Sequence, residues 1–334
     1  METFQLKRAS DVNQAIELAK TAADGQNGAS VRFLAGGTTL LDLMKLDVER
    51  PAQVIDIHRL PLAEIEEISG GGLKIGATVR NSDLANHPLV KKHYPVLSEA
   101  LLSGASAQLR NMATTGGNLL QRTRCVYFRD AKTPCNKREP GTGCSAIEGF
   151  NRNLAILGTS DHCIATNPSD MSVAMTALEA TIHTASEHGT RSIAIDDFFL
   201  LPGSTPERET TLNPGELITH VTLPAPVPGT RSTYLKLRDR ASYEFALASA
   251  AVVVAVSSGR IDYIRIALGG VGVRPWRSKE AEAVLQGRAP DAATFQAAAE
   301  AALQSARPQS QNGYKVELAK RCIQHALKLA TQNA

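Results

Sequence analysis

Apolar positions recur along this chain with two periods, and the elements they predict alternate. After a first strand at TFQLK, Val12, Ala15, Ile16 and Ala19 share one face of a helix over residues 11–23, with Ser10 or Asp11 as its N-cap. VRFLAGG reads as a buried strand ending in a glycine turn, TTLLDLMKL as the segment beyond it, and PAQVIDIH as a further strand whose Val54, Ile55 and Ile57 suit the pleated backbone. A strand over 73–79, a cap at Asn81 or Ser82 and a helix over 95–106 follow. MSVAMTALEATIHTA predicts a helix buried through Met171, Ala174, Met175 and Leu178, then a strand. RSIAIDDFFLLPG and ELITHVTLPAP read as strands around the polar loop STPERETTLNPG. STYLKLRD, ALASAAVVVAVSSGRI and DYIRIALGGVG predict a three-stranded meander, and SKEAEAVLQG, DAATFQAAAEAALQSA and NGYKVELAKRCIQHALKLAT three helices.

Strand and helix alternating at short range is an α/β signature, and strands followed by helices an α+β one, so the chain as a whole reads as α+β. Its 334 residues exceed what one hydrophobic core usually holds. Proline and glycine at 224–229 mark a boundary before an expected unit at 229–334. Between Val126 and Asn153 no period survives, and Pro134, Pro140, Gly141, Gly143 and Gly149 interrupt the chain, so this segment is expected to be loop held by something other than an apolar core.

Charge narrows the function. With 36 basic against 33 acidic residues and no arginine–aromatic interleaving, nucleic acid is not an expected partner. No run approaches 18 apolar residues, so no membrane insertion is expected, and METFQLKRAS lacks the apolar core of a signal peptide. The expected location is the cytoplasm, or the periplasm by co-export with a signal-bearing partner.

The candidate chemistry lies in two glycine turns and four cysteines. AGGTTLL (35–41) follows a strand, and ATTGGNLL (113–120) repeats its pattern. Glycine permits close backbone approach, so successive amides can face a phosphate oxygen, and two such turns suit a pyrophosphate; a plain tight turn is the alternative. Neither turn matches the three-glycine dinucleotide fingerprint or the P-loop. Cys125, Cys135, Cys144 and Cys163 fall within 39 residues, spaced C-x9-C-x8-C-x18-C, with only Cys322 elsewhere, as a packing residue on a predicted helix. Four thiolates suit a 4Fe-4S cluster, one per iron. Zinc usually takes cysteine pairs two to four residues apart, and disulfides or unliganded buried thiols stay open on spacing alone. The segment is basic: Arg122, Arg124, Arg129, Lys132, Lys137, Arg138 and Arg152 outnumber Asp130, Glu139 and Glu148. That excess would stabilise an anionic cluster, or else form a solvated or docking face. His162, beside Cys163, reads as structural.

AGGTTLL, IGATVRNSDL, TTGGNLL, NPSDMSVAM, LNPGELI and ALGGVGVRPWR, in this order, resemble the FAD-binding subunit of the molybdenum hydroxylases, the group of xanthine dehydrogenase, carbon monoxide dehydrogenase and aldehyde oxidoreductases. The resemblance implies a vanillyl-alcohol-oxidase (PCMH) type FAD-binding domain in two α/β lobes, followed by a C-terminal α+β flavoprotein domain. It implies that Ala35, Gly36, Gly37, Thr38, Thr39 and Leu40 form the first pyrophosphate loop, and Thr114, Thr115, Gly116, Gly117 and Asn118 the second. Asp170 matches the family's acidic flavin contact, and Ile218 and Lys236 weaker contacts near the isoalloxazine.

Most members pass quickly from the second turn to the acidic one, whereas here 52 positions separate Asn118 from Asp170. A subset that includes 4-hydroxybenzoyl-CoA reductase and the bacterial periplasmic aldehyde oxidoreductase carries such an insertion, here at about 121–165, with a 4Fe-4S cluster on its cysteines. QRTRC, PCNKR, GFNRN and CIATNPSDM are especially similar to the flavin subunit of that aldehyde oxidoreductase. The implied role is electron transfer in a heterotrimer: a molybdopterin-binding large subunit oxidises substrate, a small subunit relays electrons through 2Fe-2S clusters, and this chain passes them through FAD to an external acceptor. No catalytic acid, base or nucleophile is then required here, and the extra cluster is expected to be a side station. The rival readings are a stand-alone flavin oxidase or reductase on the same fold, and a zinc-stabilised structural subunit.

Overall fold

The computed structural model describes residues 1–20 and 30–332, so the end of the predicted first helix, 21–23, lies outside the described residues. Strand β1 (Gln5–Arg8) leads into the helix Val12–Ala19, whose cap is Asp11: its Oδ1 accepts from the Gln14 amide at 2.9 Å. β2 (Val31–Leu34) and β3 (Gln53–Asp56) complete a parallel sheet in the order β1-β3-β2. Parallel neighbours need crossovers, and the helix Leu40–Lys45 supplies the one from β2 to β3.

A second sheet is antiparallel throughout. β4 (Ile65–Glu67), β5 (Leu73–Gly76), β6 (Thr181–Ser186), β7 (Gly189–Ala194) and β8 (Leu217–Leu223) pair in the order β4-β5-β8-β6-β7. The second sheet is therefore wholly antiparallel, and among the named strands parallel pairing is confined to the first sheet. β5 stops three residues short of expectation, at Gly76, where a Cβ would stand 2.0 Å from the Leu62 carbonyl oxygen. β7 stops at Ala194, because Ile195–Phe198 form a helical turn that buries Ile195 and Phe198. The expected helix at 95 starts on Pro95 and ends at Ser103, with Gly104 extended.

The third sheet comprises β9 (Arg231–Leu237), β10 (Ala248–Ser257), β11 (Arg260–Gly269) and β12 (Trp276–Arg277) in the order β12-β11-β10-β9. The expected three-stranded meander gains a fourth strand because Trp276 and Arg277 pair with Leu268 and Ala267. Its helices, Lys279–Leu285, Ala292–Leu303 and Tyr314–Thr331, pack on one face. β10 is buried on both faces: Ala250, Val252 and Val254 belong to the core with those helices, and Ala251 and Val253 to the core shared with the second sheet. This is why its sequence is a continuous apolar run. Between the second and third sheets lies the helix Asp170–Ala177, all eight residues of it buried. The apolar face expected of it is only part of what it hides. From Leu120 to Ser169 the backbone has no strand, only single helical turns at Val126–Arg129 and Ser145–Glu148. Among the described residues no helix is long and apolar enough to cross a membrane.

Candidate functional site

The first glycine turn is positioned by β2 ending at Leu34 and the next helix starting at Leu40. Gly37 has φ +72°, a left-handed conformation that glycine adopts without strain. Gly36 is required for another reason: a Cβ on it would lie 2.0 Å from the Met112 carbonyl oxygen, so this turn is pressed against the chain leading into the second one. Among the described residues the amides of Gly36, Gly37, Thr38 and Thr39 have no hydrogen-bond partner. Four successive unspent N–H groups beside a cleft are donors available to an anion.

The second turn is built differently. Thr114 caps the short helix Thr115–Leu119, its Oγ1 accepting from the Gly117 amide at 3.3 Å. The Thr115 and Gly116 amides donate to the carbonyls of Val79 and Ala77 at 2.9 and 2.8 Å. The two turns therefore correct the symmetric picture in which both present free amides. The first offers donors, while the second offers a surface without side chains at Gly116 and Gly117.

Both turns line one cleft of about 280 Å³. Of the residues implied by sequence, Ala35, Gly36, Gly37, Thr38, Thr39, Leu40, Thr114, Gly116, Gly117 and Ile218 line it. Thr115 is fully buried, and its Oγ1 donates to the Val79 carbonyl at 3.2 Å. Asn118 turns its Oδ1 to Ser169 Oγ, which donates at 2.8 Å and ties the second turn to the acidic one.

Asp170 and Lys236 are brought together with each other, away from the cleft lining. Lys236 Nζ stands 2.8 Å from Asp170 Oδ2, and the Tyr234 hydroxyl donates to Oδ1 at 2.5 Å. The two charged side chains are 3% and 8% exposed, so the pair is a buried ionic link between the helix Asp170–Ala177 and β9. Burial, with the Asp170 charge, pushes the Tyr234 phenol well above its ordinary value.

A buried ionic network that sequence reading did not assemble forms another wall of the cleft. Arg122 reaches Glu49 Oε1 at 2.7 Å and Glu209 Oε2 at 2.5 Å; Arg32 reaches Glu49 Oε2 at 2.8 Å, and Lys137 reaches Glu209 Oε1 at 3.0 Å. All five side chains line the cleft. Burial alone would raise the Glu209 carboxyl, but Arg122 and Lys137 outweigh it and hold it at about 2. Arg122 and Lys137 were visible as part of a basic segment. Arg32, Glu49 and Glu209 carry no local motif, and only the fold makes them neighbours.

The four clustered cysteines line one small cage, three of them buried and all unbridged. Cys125 begins the turn Val126–Arg129, and Cys135 and Cys144 face each other across a bridge in a tight hairpin. That hairpin is closed by the Asn136 amide donating to the Gly143 carbonyl at 2.7 Å and the Gly143 amide donating to Asn136 Oδ1 at 2.8 Å. Cys163 Sγ accepts from the Ala165 amide at 3.5 Å. Burial pushes the Cys125 thiol up to about 12 and the Cys163 thiol up to about 11, the latter partly offset by the Lys137 charge. The remaining void is about 10 Å³, room for one water, so the thiols and Phe128 pack as a small core of their own. Among the described residues no group of three or more His, Cys, Asp or Glu is close enough to hold a single metal ion. Three guanidinium nitrogens in the segment around Cys125, namely Arg122 Nη2, Arg124 Nε and Arg129 Nη1, are buried without a hydrogen-bond partner.

Comparison with known proteins gives the family. Residues 2–226 match the family described as the FAD binding domain in molybdopterin dehydrogenase, and residues 232–330 the CO dehydrogenase flavoprotein C-terminal domain. The chain is 52% identical over 318 residues to the aldehyde oxidoreductase FAD-binding subunit PaoB of Escherichia coli, covering 95% of this chain and 96% of that one. It is 29% identical to the glyceraldehyde dehydrogenase medium chain of Sulfolobus acidocaldarius, over 84% of this chain and 79% of that one. In structure it superposes on carbon monoxide dehydrogenase from Hydrogenophaga pseudoflava with a TM-score of 0.78 at 28% identity, covering 100% of this chain and 99% of that one.

Proposed function

The chain belongs to the family of FAD-binding domains of molybdopterin dehydrogenases, and from that premise we propose that it is the FAD- and 4Fe-4S-containing electron-transfer subunit of an aldehyde-oxidising heterotrimer. The observation that carries the flavin half is the run of four unspent amides at Gly36–Thr39 in a cleft whose other wall is the side-chain-free surface at Gly116 and Gly117. In this reading Ala35–Leu40 and Thr114–Asn118 hold the pyrophosphate, and Ile218 packs near the isoalloxazine. Asp170 and Lys236 act from behind the lining, by tying the helix Asp170–Ala177 to β9. Bound there, the flavin supplies a store that takes and gives electrons singly or in pairs. The chain's own residues bind and orient it, and the Phe199, Leu200 and Leu217 side chains exclude water from the apolar part of the cleft.

The cage fits a 4Fe-4S cluster in the chemistry of its donor set. It offers four unbridged thiols and a backbone N–H donating to sulfur. Zinc is the lesser reading on spacing, since its sites usually use cysteine pairs two to four residues apart. A cluster would have to displace the inner packing of the thiols, where the void is about 10 Å³. The partners of this reading are a molybdopterin-binding large subunit, a 2Fe-2S small subunit and an external electron acceptor. The domain limits 1–60, 61–226 and 229–334 belong to the same proposal. Its test is reconstitution of the complex with and without this chain. With the chain omitted, aldehyde is expected still to reduce the partner centres while delivery to a soluble acceptor falls sharply; delivery undiminished without it would refute the role.

A further inference from the structure

The cleft and the cage are adjacent: Lys137, Cys163 and Ala165 line both. Of the three, only Lys137 carries charge, and it is 8% exposed. Other basic residues of the segment are committed elsewhere. Arg122 is held between Glu49 and Glu209, Arg124 and Arg129 converge on Asp42, Arg138 donates to the Tyr127 and Phe128 carbonyls, and Arg152 pairs with Asp239 at the surface. Lys137 joins a network in which Arg32, Arg122 and Lys137 meet Glu49 and Glu209. Two anionic groups would flank it: the pyrophosphate in the cleft and the cluster in the cage.

We propose that Lys137 is the positioning residue through which the two cofactor sites act on each other. Its ammonium, fixed by Glu209 at 3.0 Å and by the Pro206 carbonyl at 2.8 Å, stabilises added negative charge on the cluster, and its strength there depends on whether the pyrophosphate is present. A fixed cation close to a charged site in a buried setting is worth about one to three units of pK, so a tenfold effect on a one-electron equilibrium is expected. This inference rests on the reading of the cage as a cluster site and the cleft as a flavin site.

The test is an anaerobic redox titration of the full chain with both cofactors loaded. Electrons come singly from dithionite through mediators, and the reduced cluster is read by electron paramagnetic resonance. At a fixed potential, Lys137→Gln is expected to lower the ratio of reduced to oxidised cluster about tenfold, ~59 mV for one electron, and Lys137→Arg to restore it. The second measurement needs no variant: removing FAD from the wild-type chain is expected to raise that ratio at least about threefold, since an anion leaves the far side of the wall. An unchanged ratio in Lys137→Gln with iron and flavin at full content, or no response to FAD removal, overturns the inference and leaves the cofactor assignment standing. A wild-type chain that holds no iron overturns both.

Discussion

Gly36 is the position at which the two turns meet, and replacing it by alanine tests whether they form one rigid pocket. The added Cβ would lie 2.0 Å from the Met112 carbonyl oxygen and 2.8 Å from its carbon, whereas ordinary contact begins near 3.4 Å, so the two segments must separate by 1.4 Å. The obstacle is backbone, which has no rotamer to relieve it. Overpacking of this kind costs about 1–3 kcal/mol, and a cofactor that needs both turns in register would lose affinity roughly five- to hundredfold. The assay is a fluorescence-quenching titration of cofactor-free protein with FAD, with thermal melts of the same samples. Gly229→Ala is the control: its φ of +74° imposes backbone strain, about 1 kcal/mol, but no atom lies within 4 Å of the added Cβ and it is not in the cleft. It is expected to melt lower and bind FAD normally. If Gly36→Ala binds FAD as tightly as the parent and melts at the same temperature, the interlock of the two turns is not what shapes the pocket.

Three further outcomes follow from the charged groups and the thiols. Glu209 has a folded-state pKa of about 2 against an ordinary 4.5, so its stabilisation is present above pH 4.5 and is lost as pH falls towards 2. The parent should lose roughly 3 kcal/mol more than Glu209→Gln between pH 5 and 2, read as converging melting temperatures; parallel profiles would contradict the network. Asp170→Asn leaves Lys236 buried and unpaired and should cost about 3–5 kcal/mol, while the double change Asp170→Asn with Lys236→Met should recover most of it. A double variant no more stable than the single one argues against the pair being structural. Cys135→Ser should abolish the cluster; flavin reduction by substrate that stops while FAD and assembly remain would show that the cluster is on the main electron path rather than beside it.

Much of the fold was legible because its elements are periodic. The helix Val12–Ala19 and the three C-terminal helices follow their apolar faces, and β10 announces its double burial by an unbroken apolar run. What misled was local propensity overridden by contact. IDDF looks extended, yet burying Phe198 folds it into a turn, and Trp276–Arg277 become a strand only because β11 is there to pair with them. Residue type singled out groups that the fold brings together: the two glycine turns share one cleft, and the four clustered cysteines share one cage. The site was not legible where function depends on partners distant in the chain. Nothing in NPSD or YLKL says that Asp170 and Lys236 bind each other, and nothing in DVER says that Glu49 meets Arg122 across 73 residues.

The most direct measurement is a count of cofactors in the anaerobically purified chain, with released flavin identified by chromatography and iron and sulfide assayed on the same sample. The account predicts one FAD per chain, about four irons and about four sulfides, the complement of one cluster on four thiolates. A chain that yields no adenine-containing flavin, or that holds zinc in place of iron, would contradict it.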